Sequence, residues 1–181
     1  MTATTLSIAP SLSRAARPSF DISPVQRAMV GVVGVGLSAA CTAALARAFA
    51  DLAPAFPDAH NPAILLHVAC VVPAVPLGAW LMLDRKGTPR HKLLGKVWVA
   101  LMLLTAITAL FIHQINPGSF SPVHLFVPLT FHGAWSTVAT ARRGDIAAHK
   151  KALLRFYLGA LLIPGIFAFM PGRLMGTWLF G

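Results

Sequence analysis

Charged residues are scarce in this sequence of 181 residues: they make up 11% of the chain, against 56% for hydrophobic residues. A water-soluble chain carries roughly 25% charged residues, so this one lacks the polar side chains that would cover a surface in water. Acidic residues are the scarcer kind, with 5 Asp and Glu against 15 Lys and Arg. A net charge of +10 would suggest nucleic acid as the partner of a soluble protein. Here the basic residues flank apolar segments, which predicts a protein of the lipid bilayer that binds no nucleic acid.

Cysteine is also scarce, and its scarcity excludes two further classes of protein. Cys41 and Cys70 both lie inside apolar segments, which rules out a disulfide scaffold. No CxxC pair is present, so a thiolate zinc site is excluded too. We expect both cysteines to serve as small apolar packing residues.

Long segments without any Asp, Glu, Lys or Arg organise the chain, at residues 28–46, 59–83, 97–141 and 156–172. A membrane-spanning helix needs about 20 apolar residues, so the third segment is long enough for two. It divides at residues 116–122, where Asn, Pro, Gly and Ser are concentrated as in turns. The prediction is an all-α integral membrane protein, a bundle of five transmembrane helices at about 27–50, 62–83, 93–115, 123–142 and 153–179.

The basic residues predict the orientation of this bundle, because Lys and Arg concentrate in cytoplasmic loops. With the N-terminus in the cytoplasm, only Arg47 and Arg173 fall on the outer side. The other basic residues fall on the cytoplasmic side, at Arg14, Arg17, Arg27, Arg85, Lys86, Arg90, Lys92, Lys96, Arg142, Arg143, Lys150, Lys151 and Arg155. The sequence therefore predicts a cytoplasmic N-terminus and an outer C-terminus.

The beginning of the chain is open to two interpretations. Residues 1–26, rich in Ser, Ala, Thr and Pro, are predicted to form a flexible cytoplasmic tail before a transmembrane domain at 27–181. Alternatively, Arg27, the following apolar run and Ala44-Leu45-Ala46 resemble a signal peptide with a late cleavage site. The apolar run exceeds the usual signal core of about 7–15 residues, which favours a retained first helix.

Histidines provide most of the ionisable groups within the segments that lack Asp, Glu, Lys and Arg, and such groups point to function because lipid disfavours them. His67 lies inside an apolar segment, with no charged residue nearby in its own helix. Near the outer ends of helices are His113, His124 and Arg173, near the middle is His132, and at the cytoplasmic ends are His91 and His149. The structural alternatives are interfacial snorkelling for His60, His113 and His124, and a hydrogen bond within the helix for His132.

Several motifs, in order, resemble the domain-of-unknown-function 2306 family of small bacterial predicted membrane proteins. They are KGTPRHKLLG at 86–95, SPVHL at 121–125, RRGDIAAHK at 142–150 and PGRLM at 171–175. The resemblance covers about residues 60–178 and implies a multi-pass protein of the bacterial inner membrane. It departs from the family pattern at 150–153, where a methionine is expected. The positions that match the family motifs are His67, His91, His124, His149 and Arg173.

Four of these positions suggest haem b as a cofactor. His67, His91, His124 and His149 come from successive predicted helices and alternate between outer and inner levels. This alternation resembles the ascorbate-reducible di-haem cytochromes of the b type, and it would make the four histidines haem-iron ligands. In this hypothesis Arg173 holds the outer propionates and Arg90 or Lys92 the inner ones, with His132 as a substitute for His124.

Other functions remain open. A quinone site needs an imidazole, a cation and an apolar slot. We predict that His67, His124 and Arg173 form one outer site for an anionic or carbonyl-bearing group, unless Arg173 merely anchors its helix to lipid headgroups. The remaining alternatives are a non-catalytic accessory or sensor subunit and a transporter of a small neutral or anionic solute. No Asp or Glu lies in a predicted span, which argues against ion-coupled transport.

Overall fold

The computed structural model describes residues 23–57, 59–113 and 119–181, and the regular elements of these ranges are all helical. The helices are α1 (Pro24–Phe49), α2 (Pro62–Leu83), α3 (Pro89–Ala109), α4 (Phe126–Arg142), α5 (Ile146–Tyr157), α6 (Ile163–Ala168) and α7 (Leu174–Phe180). A 3-10 turn at Pro122–Leu125 precedes α4, and a π-helical turn at Leu158–Leu162 joins α5 to α6. The predicted tail at 1–26 falls largely on residues 1–22, which lie outside the described residues.

Side-chain caps decide where several helices begin, and they correct two predicted starts. Thr88 Oγ1 accepts a hydrogen bond from the backbone N–H of His91, and Pro89 occupies the first turn, so α3 begins before the predicted residue 93. Asp145 accepts from the backbone N–H of Ala148, so α5 begins at Ile146 rather than 153. Both segments are rich in basic residues, and hydropathy therefore places their beginnings too late.

The predicted helix over 153–179 is divided in the structure. Pro164 has no backbone N–H to donate, and the π-helical turn lies directly before it. The helix then ends at Ala168, and Gly172, with a φ of 77°, turns the chain into the separate short helix α7. The third predicted helix also ends early, at Ala109 instead of 115.

Within the described residues, four helices are long and apolar enough to cross a membrane: Pro24–Phe49, Pro62–Leu83, Pro89–Ala109 and Ile146–Ala168. The helix α4 is shorter, at 17 residues, but it runs antiparallel to α3 along the length of that helix. At one end of the pair the rings of His113 and His124 are 5.5 Å apart. At the other end His149, which bonds to α4 at Thr137, lies 6.3 Å from His91. The prediction of a helical membrane bundle is confirmed, with α4 as its fifth helix.

The two ends of the bundle differ in charge. The end that holds the beginnings of α1, α3 and α5, here called the basic end, carries Arg27, Arg85, Lys86, Arg90, Lys92, Lys96, Arg142, Arg143, Lys150, Lys151 and Arg155. At the opposite end, the described residues include the basic side chains Arg47 and Arg173. Arg47 donates to the carbonyl oxygens of Trp178 and Gly181, both at 2.9 Å, and so ties α7 to α1. That the basic end faces the cytoplasm stays a prediction.

The core is centred on α2, where Gly78 makes room for two large side chains. Trp98 and Tyr157 are 0% and 1% exposed. Trp98 Nε1 donates to the carbonyl oxygen of Ala74 at 2.9 Å, and the Tyr157 hydroxyl donates to that of Val75 at 3.2 Å. A Cβ atom on Gly78 would come within 2.7 Å of both rings. Backbone carbonyl oxygens of α2 thus accept hydrogen bonds from the polar groups of the two largest core side chains, and polar groups in an apolar surrounding need such partners.

Candidate functional site

A cavity of about 250 Å³ lies between the helices of the bundle, in the half that is farther from the basic end. Residues from α1, α2, α3, α4 and α6 form its walls, together with the segment that begins α7. The walls are mostly apolar, with Val71, Met102 and Leu161 among them. His67 and Arg173 line the same cavity. An apolar pocket with a few convergent polar groups is the usual form of a small-molecule site.

His67 is held in one orientation by α3. Its Nδ1 lies 3.0 Å from the carbonyl oxygen of Thr105 and 3.2 Å from the hydroxyl oxygen of Thr108. A carbonyl oxygen only accepts hydrogen bonds, and the Thr108 hydroxyl donates to the carbonyl of Leu104 at 2.8 Å. The proton of a neutral His67 therefore belongs on Nδ1, which leaves Nε2 as an acceptor or a metal ligand.

Arg173 reaches the cavity from the turn between α6 and α7. Its backbone carbonyl accepts the first hydrogen bond of α7, from the Thr177 N–H at 2.8 Å. Within the described part of the chain, its guanidinium has no hydrogen-bond or ion-pair partner, and no acidic residue lines the cavity. The cavity therefore combines an acceptor nitrogen on His67 with a permanent cation that has donors to offer.

His124 lies beside this cavity. It does not line the cavity, although its neighbour Val123 does. The backbone N–H of Ser121 donates to His124 Nδ1 at 3.0 Å, which places the proton of the neutral ring on Nε2. His124 Nε2 is buried and has no partner in the described residues. The ring stacks on His113 and packs against the edge of Phe120, whose ring centroid is 5.0 Å away. The structure brings together two members of the predicted outer site, His67 and Arg173, with His124 adjacent.

His91 and His149 form a separate pair at the basic end. Their ring centroids are 6.3 Å apart, at an interplanar angle of 85°. His149 Nδ1 donates to the carbonyl oxygen of Thr137 at 3.0 Å, while His91 Nδ1 is buried and without a partner in the described residues. Fourteen residues of α3 separate His91 from Thr105, which is about 21 Å along a helix. The two histidine groups are therefore distinct sites.

The positions of the predicted haem ligands can be compared with what a haem iron requires. Two imidazoles that bind one haem iron must face each other across the porphyrin. At the opposite end His67 lines the cavity, but His124 does not, and its Nδ1 is engaged by Ser121. His132, the predicted substitute, is exposed on α4 and lines a different groove. Among the described residues, no group of three or more His, Cys, Asp or Glu side chains could hold a metal ion. Haem ligation by these histidines stays a prediction.

Sequence reasoning missed the residues that orient His67. Thr105 and Thr108 follow an apolar run in α3, and hydroxyl groups there are usually satisfied by their own helix, as both of these are. Cys41, predicted to be a packing residue, lines the cavity, whereas Cys70 is buried outside it. A depth argument could have placed Cys41 near His67, but nothing in the sequence indicates which face of α1 turns inward.

A helical bundle with apolar outer surfaces, buried histidines and an internal cavity defines this protein as a multi-pass membrane protein. The chain belongs to the domain-of-unknown-function 2306 family, described as a predicted membrane protein, whose family model matches residues 64–176. The predicted family is thus confirmed, and the match takes in the cavity residues His67 and Arg173. No curated protein and no solved structure matches the chain.

Proposed function

We propose that this protein binds a quinone in the cavity inside the bundle and takes part in a redox-linked process of the bacterial inner membrane. The observation that carries the proposal is the presence of His67 and Arg173 on one apolar cavity. A quinone carbonyl accepts hydrogen bonds, which an arginine side chain can donate. The hydroxyl of the reduced form donates, which suits the acceptor nitrogen of His67.

The size and polarity of the cavity favour a ring-bearing apolar molecule over a hydrated ion. The volume of about 250 Å³ lies slightly below the usual range of about 300–1,000 Å³ for small-molecule pockets, so the cavity suits a small ligand or part of a larger one. A quinone headgroup is small and planar, and its apolar tail could remain in the lipid. A haem would in addition require a second imidazole across the cavity, and His124 does not line the cavity. We therefore rank a quinone before haem b.

The accessory or sensor role and the transport of a small anionic solute are the competing hypotheses. An accessory subunit needs no cavity, so the convergence of His67 and Arg173 counts against that hypothesis. Transport of an anion would use the Arg173 cation but leave the acceptor nitrogen of His67 without a role. The quinone hypothesis gives both side chains a function.

Titration of the purified protein with a short-chain quinone tests the proposal. We expect saturable binding in mild detergent, measured by tryptophan fluorescence. In Arg173→Gln the affinity should fall about tenfold or more, because a charged donor is removed. Arg143→Gln is the matched control, since Arg143 is exposed at the basic end and does not line the cavity. Equal affinities in the two variants, or no saturable binding to the wild type, would overturn the proposal.

A second measurement separates the quinone hypothesis from the haem hypothesis. The protein is purified from haem-supplemented cells, and its reduced-minus-oxidised absorption spectrum is recorded. Without bound haem the spectrum is flat in the Soret region. A stoichiometric Soret band that disappears in His67→Ala would assign the cavity to haem instead.

A further inference from the structure

A second concave site lies between α4 and α5, in the half of the bundle toward the basic end. It is a groove of about 310 Å³. Apart from Ala160, the residues that line it differ from those of the central cavity. Its lining includes two cations, Lys151 and Arg155, and no acidic residue. The groove is therefore a positively charged recess on the side of the bundle.

The polar side chains of the groove form two facing rows. On α4, His132, Ser136 and Thr140 follow one another at intervals of four residues, and on α5 Lys151 and Arg155 are four apart. Residues four apart lie on the same face of a helix. Since α4 and α5 are antiparallel neighbours joined by a short turn at 143–145, the hydroxyl and imidazole row faces the cationic row.

Three features make this groove more than a charged helix surface. Arg155 lies nine residues after the first residue of α5, about 13 Å along a helix that can cross the membrane. A cation at such a depth needs an anionic or polar partner. Glycine at position 133 lets α4 and α5 pack closely beside the groove, since a Cβ atom there would come within 2.6 Å of the Phe156 ring. The Ser136 hydroxyl, in the same row, has no hydrogen-bond partner in the described residues.

We propose that the groove between α4 and α5 binds the phosphate of an anionic phospholipid from the leaflet at the basic end. Two cations and a hydroxyl donor match the oxygens of a phosphate group. A free phosphate shares this chemistry, but the depth of Arg155 and the apolar walls at Leu129, Phe156 and Ala160 favour a ligand that carries acyl chains. The site is independent of the quinone cavity, and each can fail without the other.

The test compares two pairs of basic residues with the same spacing at the same end of the bundle. Lys92 and Lys96 are exposed, four residues apart on α3, and do not line the groove. Purified protein in mild detergent is titrated with phosphatidylglycerol and phosphatidylcholine that carry a fluorescent acyl chain. We expect Lys151→Gln with Arg155→Gln to weaken phosphatidylglycerol binding about thirtyfold, and Lys92→Gln with Lys96→Gln to weaken it less than about threefold.

Equal losses in the two double variants would overturn the proposal, because the binding would then depend on total charge and not on the groove. Displacement of phosphatidylglycerol by a large excess of inorganic phosphate would assign the site to a free anion instead of a lipid. Ser136→Ala changes no charge and leaves the helix intact, so it serves if the double variant fails to fold. We expect it to weaken phosphatidylglycerol binding about threefold without affecting phosphatidylcholine, whereas no change in Ser136→Ala would count against the groove.

Discussion

Each end of the bundle holds histidines and cations, yet the two ends use them differently. At the basic end His91 and His149 pack against each other among many Lys and Arg side chains. At the opposite end His67 and Arg173, with few charges nearby, line a common cavity. A high density of ionisable residues therefore does not by itself mark a ligand site. A site also needs space and polar atoms whose hydrogen bonds the protein leaves open.

The side of the membrane that each end of the bundle faces has an all-or-none test. We expect a reporter that is active only in the cytoplasm to give a strong signal after Lys86, at the basic end, and none after Gly181. The reason is the concentration of Lys and Arg in cytoplasmic loops. Activity at both positions would indicate an even number of spans, and the reversed pattern would place the cavity on the cytoplasmic side.

Both ends depend on the packing of α2, so a change at Gly78 is expected to damage them together. Gly78→Leu forces a side chain into space that Trp98 and Tyr157 occupy, with a loss of stability of about 1–3 kcal/mol or more. The effect is measured by heating the protein in detergent and determining how much of it remains monodisperse at each temperature. Gly36→Ala is the control, because a Cβ atom there meets nothing within 4 Å. A stable Gly78→Leu variant would show that the core around Trp98 is loosely packed.

Substitution of one histidine at each end tests the contrast between them directly. We expect His67→Ala to lower the affinity for a short-chain quinone about tenfold, because an uncharged hydrogen bond to the ligand is lost in an apolar site. His149→Ala, at the other end of the bundle, should leave the affinity within about twofold. Isothermal titration calorimetry gives both constants. If His149→Ala had the larger effect, the ligand site would have to be moved to the basic end.

The smallest effect is expected at the two cysteines, of which Cys41 alone lines the cavity. Cys41→Ala and Cys70→Ala each remove one small buried group, so stability should fall by only about 1 kcal/mol. Thermal unfolding of the two single variants and of the double variant measures this loss. Quinone affinity should change less than about threefold in Cys41→Ala and not at all in Cys70→Ala. A severe loss in Cys70→Ala would mean that its thiol does more than fill space.

Hydropathy predicted the membrane bundle and the approximate positions of its helices, because long apolar segments must cross a bilayer as helices. It failed at helix ends, where hydrogen bonding decides. The Thr88 and Asp145 caps start α3 and α5 inside basic segments. The break before α7 depends on Pro164 and Gly172 together, and the apolar run through 156–172 concealed it.

The sequence predicted the depth of the candidate-site residues but not the direction of their side chains. Counting residues along a helix gives the depth of each side chain, and depth alone grouped His67, His124 and Arg173. It does not give the direction in which a side chain points. His67 and Arg173 face the cavity, whereas His124 turns toward Ser121 and His113.

The helical class, the membrane location and the family of this protein could all be read from the sequence, since composition and the order of motifs carry that information along the chain. Which polar groups meet, in contrast, depends on the packed bundle. The helices have apolar residues on all sides, so lipid-facing and inward-facing positions look alike in the sequence. The rotation of each helix is set by close contacts, such as that of Gly78 with Trp98 and Tyr157, and these contacts exist only once the bundle is packed.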